Sequence, residues 1–189
     1  APVDHTDDLF GANCDNPKTK TWKSGFSGSG AALQKRDGTL VSSFVNRQAD
    51  NSQHFYFFMS KDGGQNWYVS GNSGTDGADE PKSLERNNGD LAISVRASGY
   101  NFHNYTSNDG ETWHLAPRTR FTTGISGNAC DGEYMVWCST LEGNPWNIAL
   151  QTLPNNSSRQ NVSIALSTDE GTTFGTPKTI CPRGSAYSA

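Results

Sequence analysis

One turn signature recurs three times in this chain. Ser60-Lys61-Asp62-Gly63-Gly64-Gln65-Asn66-Trp67 reads S-x-D-x-G-x-x-W. Thr106 through Trp113 keeps the frame, with Thr106 in the Ser place and Asn108 in the Asp place. Ser167 through Phe174 keeps it again, with Phe for Trp. The aromatic positions lie 46 and 61 residues apart. Self-similarity at that period marks a blade-by-blade β-architecture, in which each unit buries its apolar face only against its neighbours.

The rest of the chain agrees with that reading. Strand-like runs alternate with turn signals. Thr39–Val45 follows Arg36-Asp37-Gly38, and His54–Met59 runs into the first repeat. Asp90–Arg96 follows Asn87-Asn88-Gly89, a hairpin turn because Asn and Gly tolerate positive φ. Glu133–Cys138 and Asn161–Ser167 are further runs, the second entering the third repeat. Each repeat therefore closes a strand. Its Asp or Asn accepts backbone N–H groups of its own turn, its Gly takes a conformation a Cβ forbids, and its aromatic packs back between strands. These are structural duties. Apolar residues make up only 33% of the chain, but aromatics reach 11% and there are 20 glycines, a mix that suits short strands and tight turns in one domain over residues 1–189.

Several function classes are excluded. The net charge is −4 and no Lys/Arg run exceeds two residues, so no nucleic-acid surface is expected. No apolar stretch approaches the ~20 residues of a membrane span. The four histidines (His5, His54, His103, His114) lack zinc spacing and a Cys cluster, so neither a metal nor a cofactor is indicated, and they form no Ser-His-Asp arrangement. The four cysteines allow three pairings, and Cys130 and Cys138, flanking a turn that runs into a strand, are placed for a local bridge, the pairing itself being left open. With sequons at Asn104, Asn155, Asn156 and Asn161, this favours a secreted or extracellular setting.

The three turns resemble the Asp boxes, or BNR repeats, of sialidases. The segments between them carry the resemblance further. Asp79-Glu80-Pro81 is followed by Leu91-Ala92-Ile93-Ser94-Val95-Arg96; Ser158-Arg159-Gln160-Asn161 enters the third box; Gly184-Ser185-Ala186-Tyr187-Ser188 lies near the end. Sialidases carry a Glu-Pro segment, a strand ending in Arg, an Arg-x-Asn segment and Ser-Ala-Tyr-Ser in that order. Glu80 and Arg96 are 16 residues apart, and Arg159 and Tyr187 are 28 apart. The resemblance covers about Gly28 to Tyr187 and is greatest to secreted exo-sialidases of bacterial type. It implies a six-bladed β-propeller, of which this chain supplies about half the blades at ~40–50 residues each.

The resemblance also implies a chemistry. Sialic acid carries a carboxylate on its anomeric carbon, and guanidinium groups hold carboxylates bidentately. Arg96 and Arg159 match the family's second and third arginines. An anionic substrate repels a carboxylate nucleophile, and sialidases use a tyrosine instead. Tyr187 is the implied nucleophile and Glu80 its base, giving hydrolysis with retention through a tyrosyl-sialyl intermediate. The implied substrates are sialylated glycoproteins, glycolipids or oligosaccharides. A lectin-like sialic-acid-binding propeller and a trans-sialidase acting on galactosides are the alternatives. Tyr100, with Phe102, His103 and Tyr105, either lines a glycan pocket or packs. Trp146 either flanks the aglycone or sits in the core. Asn161 stands so close to Arg159 that its sequon is expected to be unused, and Glu170 is a turn residue rather than a second acid.

Two family features have no counterpart in this sequence. No Arg-Ile-Pro-type segment supplies a first arginine. Asp4, Asp7 and Asp8 are too close to the region before Gly28 to match the acid/base Asp. The expectation is a segment whose remaining blades come from another chain or another part of the same protein, since an open half-ring exposes two raw sheet faces.

Overall fold

The structure, a computed structural model, describes residues 2–29, 31–70, 79–97, 101–108, 110, 112, 114–115, 130–156 and 158–185. After a single-turn helix α1 (Thr6–Leu9), three antiparallel sheets follow one another along the chain. The first holds β1 (Ser24–Ser27), β2 (Leu33–Gln34), β3 (Leu40–Arg47), β4 (Gln53–Ser60) and β5 (Tyr68–Val69). There β1 and β2 share one edge of β3, so the inner strand of this blade is interrupted. The second runs β6 (Asp79–Glu85), β7 (Leu91–Ala97), β8 (Asn101–Ser107), β9 (His114–Leu115) in chain order. The third runs β10 (Tyr134–Cys138), β11 (Ile148–Pro154), β12 (Gln160–Ser167), β13 (Lys178–Gly184) in the same way. These are three blades of a β-propeller; β1 with β2, β6 and β10 are their inner strands.

Alternation along β4 sorts its side chains onto two faces. Phe55, Phe57 and Met59 join Val41 and meet Leu91, Ile93, Val95 and Tyr105 of the second sheet. Tyr56 and Phe58 point the other way, with Phe44, onto Trp22, Leu9, Phe10 and Trp67. Buried on both faces, β4 reads as an apolar run. Between the second and third sheets the contact is Leu84 and Ala92 against Tyr134 and Ala149, with Phe174 alongside.

The three repeats fall between the third and fourth strands of their blades. In the first, Ser60 Oγ accepts from Gly64 N at 2.8 Å, and Asp62 accepts from Gln65 N and Asn66 N at 3.1 and 2.9 Å. These bonds hold the Asp62 carboxyl down at about 2. The third repeats the arrangement with Ser167, Gly171, Asp169 and Thr173. The second differs from the sequence frame. Gly110 N donates to Ser107 Oγ at 2.8 Å, so Ser107 rather than Thr106 fills the serine place. Pairing sets this: Ser107 lies opposite Leu91, the first residue of β7, as Ser60 lies opposite Leu40, the first of β3. The span from serine to glycine is one residue shorter than in the other two turns, and Asp109 lies outside the described residues.

Other expectations are corrected as well. Cys130 and Cys138 are unbridged, as are Cys14 and Cys181. Cys130 is fully buried, whereas Cys138 ends β10 with its thiol donating to the Trp146 carbonyl at 3.5 Å. Asn104 is buried in β8, which closes its sequon to a glycan. Of the four sequons, those at Asn155 and Asn156 then remain as the support for the extracellular expectation. Of the two sheet faces expected to be raw, that of the first sheet is covered by Leu9, Phe10 and Trp22 from the N-terminal segment. On the third sheet Leu166 is 46% exposed and Ile180 59%.

Candidate functional site

Glu80 owes its position to a bulge. Asp79 pairs with Arg96 and Lys82 with Ser94, so β6 carries one more residue than β7 over that stretch. Glu80 stands in this bulge at φ +41°, a left-handed conformation that costs a non-glycine residue about 1–3 kcal/mol and survives only where its surroundings dictate it. Pro81 is tolerated beside it because β6 is an edge strand. The Pro81 carbonyl accepts from Ser43 Oγ at 3.0 Å, across from the first blade. The bulge turns the Glu80 side chain toward Arg96 at the end of β7, where Arg96 Nη1 donates to Glu80 Oε2 at 2.7 Å. Asp79 is a second, looser partner at 3.9 Å. Glu80 is 12% exposed and Arg96 28%, so the pair sits at the rim of the structure with one side open.

The electrostatics follow from that half-burial. Loss of hydration pushes the Glu80 carboxyl above its ordinary range, more than the Arg96 hydrogen bond pulls it down, and the charges of Asp79 and Asp131 add to the push. Burial also works against the charge on Arg96, but Glu80 and Asp79 together more than offset it and hold the guanidinium charged.

The remaining residues of this end come from the third blade. Arg159 lies in the connection from β11 to β12, and Ser185 N donates to the Arg159 carbonyl at 2.7 Å, bringing the exit of β13 beside it. Cys130 marks where these parts converge. Its thiol, pushed up by burial, feels the charges of Arg159, Glu80, Arg96 and Asp131. The structure thus gathers Glu80, Arg96 and Arg159 at one end. Tyr187 and Tyr100 lie outside the described residues. Trp146 is not brought to this end. It precedes β11, whereas Arg159 follows it, and seven residues at about 3.3 Å each separate the ends by about 20 Å. It is 64% exposed, so it is not a core residue either. Glu170 takes part in a box turn at φ +57° and meets Arg86 of the neighbouring blade at 3.5 Å.

Sequence reasoning passed over Asp79, Lys82, Cys130 and Asp131. Asp79 adjoins Glu80 and was legible as a neighbour; Cys130 was read only for a disulfide, and Lys82 and Asp131 belong to no motif. A cavity of about 580 Å³ lies between the inner strands, lined by Leu33, Leu84, Tyr134, Val136 and Leu141 with Glu85 and Glu142, and touches the site only at Lys82. It does not reach Glu80, Arg96 or Arg159. At the site itself, a half-buried carboxyl of raised basicity and two guanidiniums can bind an anion and accept a proton beside it.

The sequence matches the BNR repeat-like domain over residues 15–189. Among curated proteins none matches. The Hadza microbial sialidase Hz136 is similar in structure, with a TM-score of 0.81 and 23% identity over 98% of this chain and 35% of that one. Trypanosoma rangeli sialidase, solved as a covalent intermediate with 2,3-difluorosialic acid, gives a TM-score of 0.69 and 23% identity over 78% and 24%. The intramolecular trans-sialidase of Ruminococcus gnavus, in complex with oseltamivir carboxylate, gives 0.66 and 20% over 93% and 38%. At such identities the shared property is the fold, a sialidase-type propeller. The chain spans between 24% and 38% of the length of these proteins.

Proposed function

This chain belongs to the BNR repeat-like domain family, and on that premise we propose that it forms part of a retaining exo-sialidase acting on terminal sialic acids of glycoproteins, glycolipids or oligosaccharides. The observation that carries the reading is the Glu80–Arg96 contact of 2.7 Å on a strained bulge, with Arg159 at the same end of the blades. Arg96 and Arg159 bind the substrate carboxylate, which competes with Glu80 for Arg96. Released from that ion pair, Glu80 is the more basic, as removing the phenolic proton of Tyr187 requires. The Tyr187 oxygen bonds to the anomeric carbon as the glycosidic oxygen leaves, and water then displaces the tyrosyl oxygen, which regains its proton, from that carbon with net retention. The first arginine and the acid that protonates the leaving oxygen are assigned to the blades that complete the ring.

The test is turnover of a 4-methylumbelliferyl sialoside by the full-length protein, together with covalent labelling by a difluorosialic acid. Tyr187→Phe is expected to abolish labelling. Labelling that persists unchanged would assign the nucleophile elsewhere. Binding without fluorophore release would favour the lectin-like reading, and sialyl-lactose formed on adding lactose would favour transfer.

A further inference from the structure

We propose that the buried Lys82–Asp131 ion pair is a brace that positions Glu80, making Lys82 and Asp131 positioning residues of the site. The proposal rests on the reading of Glu80 as the base. Lys82 is the residue at which β6 regains its register with β7 after the bulge. Its side chain turns inward and is only 3% exposed. The ammonium lies 2.9 Å from one Asp131 oxygen and 3.1 Å from the other. It also donates to the carbonyl of Ser29 and, at 3.1 Å, to Ser29 Oγ. Ser29 follows β1 of the first blade, and Asp131 precedes β10 of the third. One ammonium thus ties three consecutive blades together directly behind the bulge that carries Glu80.

Packing alone does not account for this arrangement. A buried ion pair is weak evidence for stability, because well-packed apolar residues of similar volume are often as good or better. What the pair adds is fixed geometry. The bulge holds an unfavourable φ, so it needs anchors. Pairing of Asp79 with Arg96 holds it ahead of Glu80, and Ser43 at Pro81 and the Lys82 ion pair hold it behind. The pair also sets the local field. The charged groups facing Glu80 are Arg96 from β7, its own neighbour Asp79, and Asp131 ahead of β10; the Cys130 thiol lies in the same field. Lys82 neutralises Asp131, which would otherwise add its full repulsion to Glu80.

The experiment uses the full-length protein with ¹³C-labelled glutamate carboxyls, the Glu80 resonance being assigned by its loss in Glu80→Gln. Lys82→Met is expected to move the Glu80 titration upward and Asp131→Asn downward, because each leaves the other's charge unbalanced. The double variant Lys82→Met/Asp131→Leu keeps the volume. On a sialoside it is expected to lower kcat about tenfold to a hundredfold, the cost of a misplacement of about 1 Å, with little change in KM, since the arginines remain. Glu80 titrations that coincide with the parent in both single variants, or a double variant with parental kcat, would overturn the brace. A parent that releases no product from sialosides refutes the sialidase reading instead, and the titration arm still decides the brace. Should Lys82→Met fail to fold, Asp131→Asn, nearly isosteric, decides it by the same shift.

Discussion

Gly28 offers a way to push on the site without touching it. The glycine follows β1, and its N–H donates to the Ser43 carbonyl at 2.7 Å. A Cβ built there falls 2.5 Å from the Pro81 carbonyl oxygen, 2.5 Å from Ser43 Oγ and 3.2 Å from Pro81 Cγ, where ordinary contact begins at 3.4 Å. Gly28→Ala therefore needs about 0.9 Å of movement. The two obstacles respond differently. Ser43 Oγ can rotate away, at the loss of its 3.0 Å hydrogen bond to Pro81. The Pro81 carbonyl is backbone, one residue from Glu80, and β6 behind it is held by Lys82. Overpacking of about 1–3 kcal/mol with about 1 kcal/mol for the lost hydrogen bond gives an expected destabilisation of about 2–4 kcal/mol. Urea unfolding measures it. In a Ser43→Ala background the hydroxyl obstacle is gone but the backbone one remains, so Gly28→Ala still costs about 1–3 kcal/mol there. A Gly28→Ala protein within about 0.5 kcal/mol of its parent, the range of an ordinary surface change, would refute the close approach of the first blade to the bulge.

Two further outcomes are expected. Asp62 and Asp169 bind protons less readily folded than unfolded, so the unfolded chain holds the extra protons below the ordinary carboxyl value of 3.8, and stability falls as pH drops from there toward about 2. Glu80, with its raised value, acts oppositely: it favours the folded state at low pH and withdraws that contribution as pH rises above 4.5. Urea midpoints against pH should show a shallower acid limb in Asp62→Asn; an unchanged limb would remove the turn carboxylate from the explanation. The isolated chain, with Leu166, Ile180 and Trp137 exposed at 46%, 59% and 66%, is expected to elute as an oligomer or complex by light scattering, and a monomer would contradict the need for further blades.

What the sequence showed depended on how local the determinant was. The box turns were legible because Ser60, Asp62 and Gly64 bond within four residues of one another. Their frame at Thr106–Trp113 was misread by one residue because the frame is set across the sheet, by Leu91 opposite Ser107. The alternating runs gave β3, β4, β7, β10 and β12 to within two residues at each end. Strands β6, β11 and β13 were hidden by Pro81, Pro154 and Pro182, which sit where an edge or a strand end needs no N–H donor. β1 was hidden by its polar Ser24-Gly25-Phe26-Ser27 sequence. Glu80, Arg96 and Arg159 entered through resemblance alone. No periodicity points to them, and nothing in the sequence connects Lys82 with Asp131, 49 residues on.

The two ends of the blades are built on different principles. In an antiparallel meander the first and third strands run the same way, so a residue opening a first strand and a turn closing a third stand at opposite ends. The turn after β4 is held largely by its own side chains, Ser60 with Asp62. The turn after β12 has the same internal bond, Ser167 with Asp169, and is also tied to the second blade through Arg86 and Asn87. Damage to the turn after β4 should stay local. The end bearing Glu80 has no such self-sufficiency. Its strained bulge is held by Ser43 and the close approach of Gly28 from one blade, and by Lys82 reaching Asp131 in another. A carboxyl whose proton affinity is set by groups from two neighbouring elements and aimed by three blades has its geometry only when those blades are docked. Docking of the blades and readiness of the site are then one equilibrium, and substitutions at the interface of the first and second blades should alter the Glu80 titration before they alter the turn after β4.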